Sequence, residues 1–242
     1  MWMYIALCFI PLIAMFICIA VMAKGFKLWK GLLACILGLA AVIPIAIMQL
    51  FVGALISAKN LQGILISAIV VNGLIEESIK MLFMFLLPAK NTRENLFFLY
   101  SILSGLALGC CETLFYLISG IDSLGLRMAT AVIIHVACGA LDGLFVYGIK
   151  TKRFNLSPFF FSFMLHGIYN YFAGFGQSSI YFYLSFAVIL FAIIECRIQY
   201  IKIRDSLWCP KLFQIKILLI KYCWLTIKNV AVRLKKGVFI WH

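Results

Sequence analysis

Long apolar runs separated by short polar interruptions fill the chain from its first residues to about residue 195. A helix needs about 20 apolar residues to cross the hydrocarbon core of a bilayer. Seven runs meet or approach that length, at roughly 2–23, 31–58, 61–88, 96–119, 126–149, 157–175 and 178–195. Each is read as a membrane-spanning helix. Pro11 and Pro44 lie inside the first two and are expected to kink them, because proline removes a backbone donor and crowds the preceding turn. The pattern predicts an all-α, polytopic membrane helix bundle over residues 1–196. The first run has no basic stretch before it and no small-residue cleavage site after it, so it reads as a retained helix rather than a cleaved signal.

The loops between the runs alternate in charge. The first carries Lys24, Lys27 and Lys30, the third Lys90 and Arg93, and the fifth Lys150, Lys152 and Arg153. The second has Lys59, the fourth pairs Asp122 with Arg127, and the sixth has no charge. Basic loops stay on the cytoplasmic side, which places the N-terminus outside and the C-terminus in the cytoplasm. Arg197, Lys202 and Arg204 follow the last run, and residues 197–242 mix Lys and Arg with Ile, Leu and Trp. Such a tail suits the inner membrane surface, with its basic groups near anionic lipid. The competing reading, an eighth span across 212–227, would enclose Lys216 and Lys221.

Composition agrees with this picture and removes alternatives. Of 242 residues, 65% are hydrophobic and 12% charged, and the mean hydropathy is +1.11. Too little polar surface is left to cover a water-soluble globule. A net charge of +13 would suggest nucleic acid in a soluble protein. Here the loop asymmetry accounts for it, so the lipid bilayer is the expected partner and nucleic acid is not. The nine cysteines form no CxxC pair and lie mostly in apolar runs. They read as small apolar helix residues rather than a disulfide framework or a thiolate metal site.

Against that background, the polar residues within the runs stand out. A charge at the centre of a membrane helix costs about 2.5–3.5 kcal/mol on the insertion scale, and such residues normally face a bundle interior or a wet cavity. The candidates are Glu76, Glu77, Lys80, Glu112, His135, Asp142, His166 and Asn170. Helical spacing puts Asn72, Glu76 and Lys80 on one face, with Glu77 one step round and within reach of Lys80. Gly105, Gly109 and Glu112 share a face, and the glycines let a neighbouring helix approach and bury Glu112. His135, Gly139 and Asp142 form a third stripe, and Ser162, His166 and Asn170 a fourth. Counted from the helix ends at 1.5 Å per residue, Glu112, His135 and His166 lie about 11–14 Å from the outer surface and Glu76 about 22 Å from it. One cavity in the middle to outer half of the membrane is feasible.

Four of these segments, in this order, resemble the motifs of the PrsW family of intramembrane proteases. "EESIK" looks like its EExxK motif and "GLALGCCETLFY" its glycine-rich helix with a glutamate. "RMATAVIIHVACGALDG" resembles its Arg- and His-bearing helix, and "HGIYN" its closing HxxxN. More distantly, the pattern resembles the CAAX prenyl endopeptidase and bacteriocin-processing superfamily. The resemblance covers residues 60–175. The chain departs from it at Thr113, where the family often has Asn, at Asp142, and in the basic tail.

The resemblance implies a multi-pass protease of the bacterial plasma membrane. Its implied substrate is a membrane protein, such as an anti-sigma factor or a similar regulator. Carried over by motif, the catalytic residues are Glu76, Glu77, Glu112, His135 and His166, with Lys80 and Asn170 in support; Asp142, outside the family pattern, joins the supporting candidates as an intramembrane carboxylate on the His135 stripe. A carboxylate, Glu76 or Glu77, would take a proton from the attacking water, and His166 or Asn170 would donate to the oxyanion. Zinc is a candidate cofactor, with Glu112, His135 and His166 as the ligand set, although the spacing is not HExxH. Intramembrane Asp, Glu and His also build proton relays, so a proton-coupled transporter is an alternative, as is a non-catalytic membrane interaction protein. No inverted repeat of the kind transporters carry is evident.

Overall fold

The computed structural model describes residues 2–56, 60–120 and 124–203. Regular structure among them is entirely helical. The order is α1 (Trp2–Met22), α2 (Leu28–Leu55), α3 (Leu61–Ser67), a π-helical segment (Ala68–Ile75), α4 (Glu76–Met84), α5 (Glu94–Ile118), α6 (Leu124–Ala129), α7 (Ala131–Lys150), α8 (Ser157–Ala173) and α9 (Ile180–Ile203). Five of these, α1, α2, α5, α7 and α9, are long and apolar enough to cross a bilayer. The all-α membrane bundle expected from the sequence is the fold observed. Of the basic tail, residues 197–203 continue α9 and the remainder lies outside the described residues.

Three details differ from the sequence expectation. The third span is not one uniform α-helix: α3, the π-helical segment and α4 follow one another without a break. It also stops at Met84 rather than running to Pro88, because a residue before proline is held out of the helical region. The fifth span is split at Thr130, whose backbone (φ −128°, ψ −74°) leaves the helical region. The Thr130 hydroxyl donates to Leu126 O at 2.8 Å, closing α6. It accepts from Tyr169 Oη at 3.0 Å, which ties the break to α8.

α5 and α7 form the centre. A Cβ on Gly105 would stand 2.3 Å from His135 O, and one on Gly139 2.9 Å from Gly105 Cα. The two helices therefore touch backbone to backbone. In lipid, where helices gain little from hiding apolar surface, such close van der Waals contact is a main source of association. Large apolar side chains such as Val21, Ile43, Leu50 and Leu184 point away from the bundle. On a soluble protein such exposure would mark an interaction surface; here it is the face presented to lipid.

One end of the bundle is closed by polar contacts from the first, third and fifth loops. Lys30 Nζ donates to Pro88 O at 3.2 Å and also contacts Thr92 Oγ1. Lys150 Nζ donates to Phe85 O at 2.6 Å and Leu87 O at 2.5 Å. Tyr147 Oη donates to Thr92 O at 3.0 Å, and Arg153 pairs with Glu94 at 2.9 Å. The two lysines bind carbonyls of the loop that follows α4. The three basic loops thus share one end, as a single basic face of the membrane protein requires.

The backbone contact at Gly105 yields a prediction. Gly105→Ala should cost about 1–3 kcal/mol, the usual penalty for overpacking, read as a lower thermal midpoint in detergent. Gly125→Ala, where nothing lies within 4 Å of the added carbon, is the control. Equal midpoints for the two variants would contradict the close contact.

Candidate active site

Glu76 and Glu77 form the first turn of α4, directly after the π-helical segment. That segment lies against α8. A Cβ on Gly73 would stand 2.4 Å from Phe163 O, and one on Gly167 2.6 Å from Ile69 Cα. Side chains at those two positions would hold α8 away, and with it His166. Gly109 does the same for α5 and α7, since a Cβ there would sit 3.0 Å from the His135 ring. Small residues therefore bring two histidines, from two different helices, to one pair of glutamates.

The four meet in the interior of the bundle. Glu76, Glu77, His135 and His166 are all buried, and one ligand atom from each lies within 4.8 Å of the others. His135 Nδ1 is 3.2 Å from Glu76 Oε1, and His166 Nδ1 is 3.7 Å from the same oxygen. His166 Nδ1 also contacts Glu77 Oε1. The imidazole rings meet edge to face with centroids 4.9 Å apart. On its other side His135 contacts Glu112 Oε2 through Nε2, so its two nitrogens face different carboxylates. Glu112 is not buried as the glycine stripe suggests, and its side chain is 28% exposed.

Glu77 is the most heavily held of the four. Lys80 Nζ donates to both of its carboxylate oxygens at 2.7 Å. Ser162 Oγ lies 3.2 Å from Glu77 Oε2 and 3.1 Å from Cys138 O, and can donate to either. Asp142 is buried beside the same group and interacts with Glu77, Lys80 and Ser162. Asn170, one turn beyond His166, lines a different pocket of about 350 Å³ with Ser67 and Asn72, between the π-helical segment and the end of α8.

Glu76 is held more lightly. Its Oε2 accepts from Gln49 Nε2 on α2 at 3.3 Å, and it lines a cavity of about 370 Å³ between α2 and α5 together with Glu112. The sequence reading missed Gln49. It is the one amide side chain inside run 31–58, and the rule that singled out the buried glutamates would have found it too. It lies outside the motif-bearing region, on a helix that otherwise reads as plain lipid-facing structure. The depth estimate also fails: Glu76 is level with the histidines, not deeper. A π-helix bonds residue i to i+5 and packs more residues into each turn, which accounts for part of that difference. The change of period leaves Asn72 facing another pocket, while Lys80, within the regular α4, pairs with Glu77, one of the two carboxylates within its reach.

The donor set suits a metal. Two imidazoles and two carboxylates are ordinary zinc ligands. Bonds of about 2.0–2.2 Å would set tetrahedral ligands about 3.3–3.6 Å apart, within about 1 Å of the spacing found. Glu76 Oε1 and His135 Nδ1 are both buried and, despite their proximity, neither has an aligned hydrogen-bond partner. An unsatisfied imidazole nitrogen and a carboxylate oxygen aimed at the same space would suit a cation held by the histidine with a water bound to it facing the glutamate.

Comparison with known proteins completes the picture. A family model described as "PrsW family intramembrane metalloprotease" matches residues 27–194, well over half of the chain. "Protease PrsW" of Oceanobacillus iheyensis is 33% identical over 153 residues, covering 60% of this chain and 70% of the relative. No solved structure matches the chain. The matched region begins in the basic loop before α2 and ends within α9, so it takes in every helix that contributes to the buried cluster. The chain is a multi-pass membrane protein and belongs to the PrsW family of intramembrane metalloproteases.

Proposed function

We propose that the protein hydrolyses a peptide bond of a membrane-protein substrate inside the bilayer, with Glu76 as general base and Glu77, His135 and His166 as the ligands of a zinc ion. The substrate class is a membrane-spanning regulator, such as an anti-sigma factor. The observation that carries this reading is the convergence of two glutamates and two histidines in a buried site beside a cavity open to lipid.

The division of labour follows from the contacts. A catalytic zinc site keeps three protein ligands and leaves one position open. Of the four residues, Glu76 is the one that lines the cavity, while Glu77 is fixed by Lys80. Lys80 offsets the cost of burying the Glu77 charge, which unpaired would be several kcal/mol. Glu112 fixes His135 through Nε2 and leaves Nδ1 turned toward Glu76, the usual role of a carboxylate behind a ligating histidine. When bound, zinc supplies activation of a water molecule and polarisation of the scissile carbonyl. Glu76 takes the proton of that water as it attacks and returns it to the departing amide nitrogen. Gln49 holds Glu76 Oε2, so that Oε1 faces the histidines. Asp142 packs behind Glu77, and Asn170, one turn beyond His166, lines the neighbouring pocket with Asn72.

In the membrane, this reading places seven spans, adding the 61–84 segment and α8 to the five long helices. The N-terminus lies outside and the basic loops and C-terminus lie in the cytoplasm. Residues 1–196 form the bundle, and α9 carries Arg197 and Lys202 at its cytoplasmic end. The clustering of the first, third and fifth loops at one end supports this topology.

Two outcomes are expected. Glu76→Gln should lower the cleavage rate at least about 100-fold, the low end of what a general base contributes, measured on a tagged substrate in proteoliposomes. Cleavage at the parental rate would remove Glu76 as the base. In cells, comparative membrane proteomics of the parent and a Glu76→Gln/Glu77→Gln double variant should show at least one membrane protein whose extracellular fragment disappears in the variant. Identical fragment profiles under every stress applied would count against the protease reading.

A further inference from the structure

The cavity beside Glu76 has a shape that the chemistry of the site alone does not require. α2 and α5 are in backbone contact at one level, where a Cβ on Gly38 would stand 2.1 Å from Ser104 O. Beyond it the two helices part. The cavity of about 370 Å³ begins at Val42 and Leu108 and reaches Leu50 and Tyr116. A further recess, sharing the Gln49, Leu50 and Phe115 walls, continues to Ser119 at the end of α5. Pro44 sits where the helices separate and deprives α2 of one backbone hydrogen bond.

The lining is divided in two. Ile43, Ile47, Leu50 and Phe115 form apolar walls that are also exposed on the outside of the bundle, so the cavity opens sideways toward lipid. The polar groups, Gln49, Glu76 and Glu112, gather where it meets the buried cluster. An acyl chain would fit the walls but offers nothing to two carboxylates and an amide. A peptide matches both parts. A transmembrane segment must unwind before one of its bonds can be attacked, and each freed backbone N–H then lacks a partner in a medium without water. Carboxylate and amide oxygens at the inner end of an apolar groove supply those partners, while the flanking side chains stay against apolar walls.

We infer that the groove between α2 and α5 is the lateral port through which a transmembrane segment of the substrate reaches Glu76, with Gln49 and Glu112 receiving the N–H groups of the unwound peptide. This rests on the protease reading proposed above. It makes α2, which carries none of the resembling motifs, part of the substrate-binding surface.

The test fills the groove without touching the buried cluster. Ala46 lines both parts of the opening, so Ala46→Phe should lower cleavage of the proteomics-identified substrate at least 10-fold with the thermal midpoint unchanged. Ile13→Phe on the lipid face of α1 should cleave like the parent. A benzophenone side chain placed at Ile47 in the Glu76→Gln background should crosslink to the same substrate. Parental cleavage by Ala46→Phe beside an inactive Glu76→Gln would overturn the port and leave the protease reading standing. Crosslinking to phospholipid alone would also overturn it, making lipid the occupant. If the parent cleaves no membrane protein, the protease reading falls and the port with it.

Discussion

The two 2.7 Å hydrogen bonds from Lys80 to Glu77 hold the interior of this bundle together electrostatically. Both groups are fully buried, and removing either would leave an uncompensated charge in a low-dielectric interior. That is among the most costly defects a fold can carry. With the pair in place, Glu77 is fixed on one side and presents Oε1 to His166 on the other. Glu76, Asp142 and Ser162 are then arranged around a rigid carboxylate. Three helices meet at this one ion pair: α4 supplies both partners, and α7 and α8 supply the side chains packed around them.

The rest of the construction concerns closeness. Imidazoles on two helices can meet a pair of glutamates on a third only if the backbones come nearly into contact. The glycines at 73, 105, 109 and 167 provide that proximity. They explain why the apolar segments between the charged residues are rich in small residues. In lipid the same residues also supply the packing that holds the helices together, so stability and site geometry share one origin.

Much of this was legible in the sequence, for identifiable reasons. Apolar runs define spans because the bilayer sets their length, and charge asymmetry assigned the loops to one end. On α5 and α7, which are regular helices, the stripe of Gly105, Gly109 and Glu112 and that of His135, Gly139 and Asp142 fall where a 3.6-residue period puts them. The period fails in the third span, because the π-helical hydrogen bonds of Ala68–Ile75 have no sequence signature in an apolar run. The direction of Asn72 was misjudged for that reason, and the depth of Glu76 in part, whereas the reach of Lys80 to Glu77, within regular α4, was legible. Gln49 was overlooked because it lies outside the motif-bearing region, on a helix that otherwise reads as lipid-facing, and Thr130 breaks a span through a backbone angle that the hydrophobic pattern does not encode.

The central claim is that Glu77, His135 and His166, from three different helices, act as one ligand set, with Glu76 standing outside it as the base. The most direct measurement is the metal content per chain of the purified protein and its variants by mass spectrometry. The account predicts one divalent ion in the parent and in Glu76→Gln. It predicts none in Glu77→Gln, His135→Ala or His166→Ala when their folded fraction matches the parent's. A fully active parent without metal, or an ion that survives loss of either histidine, would contradict it.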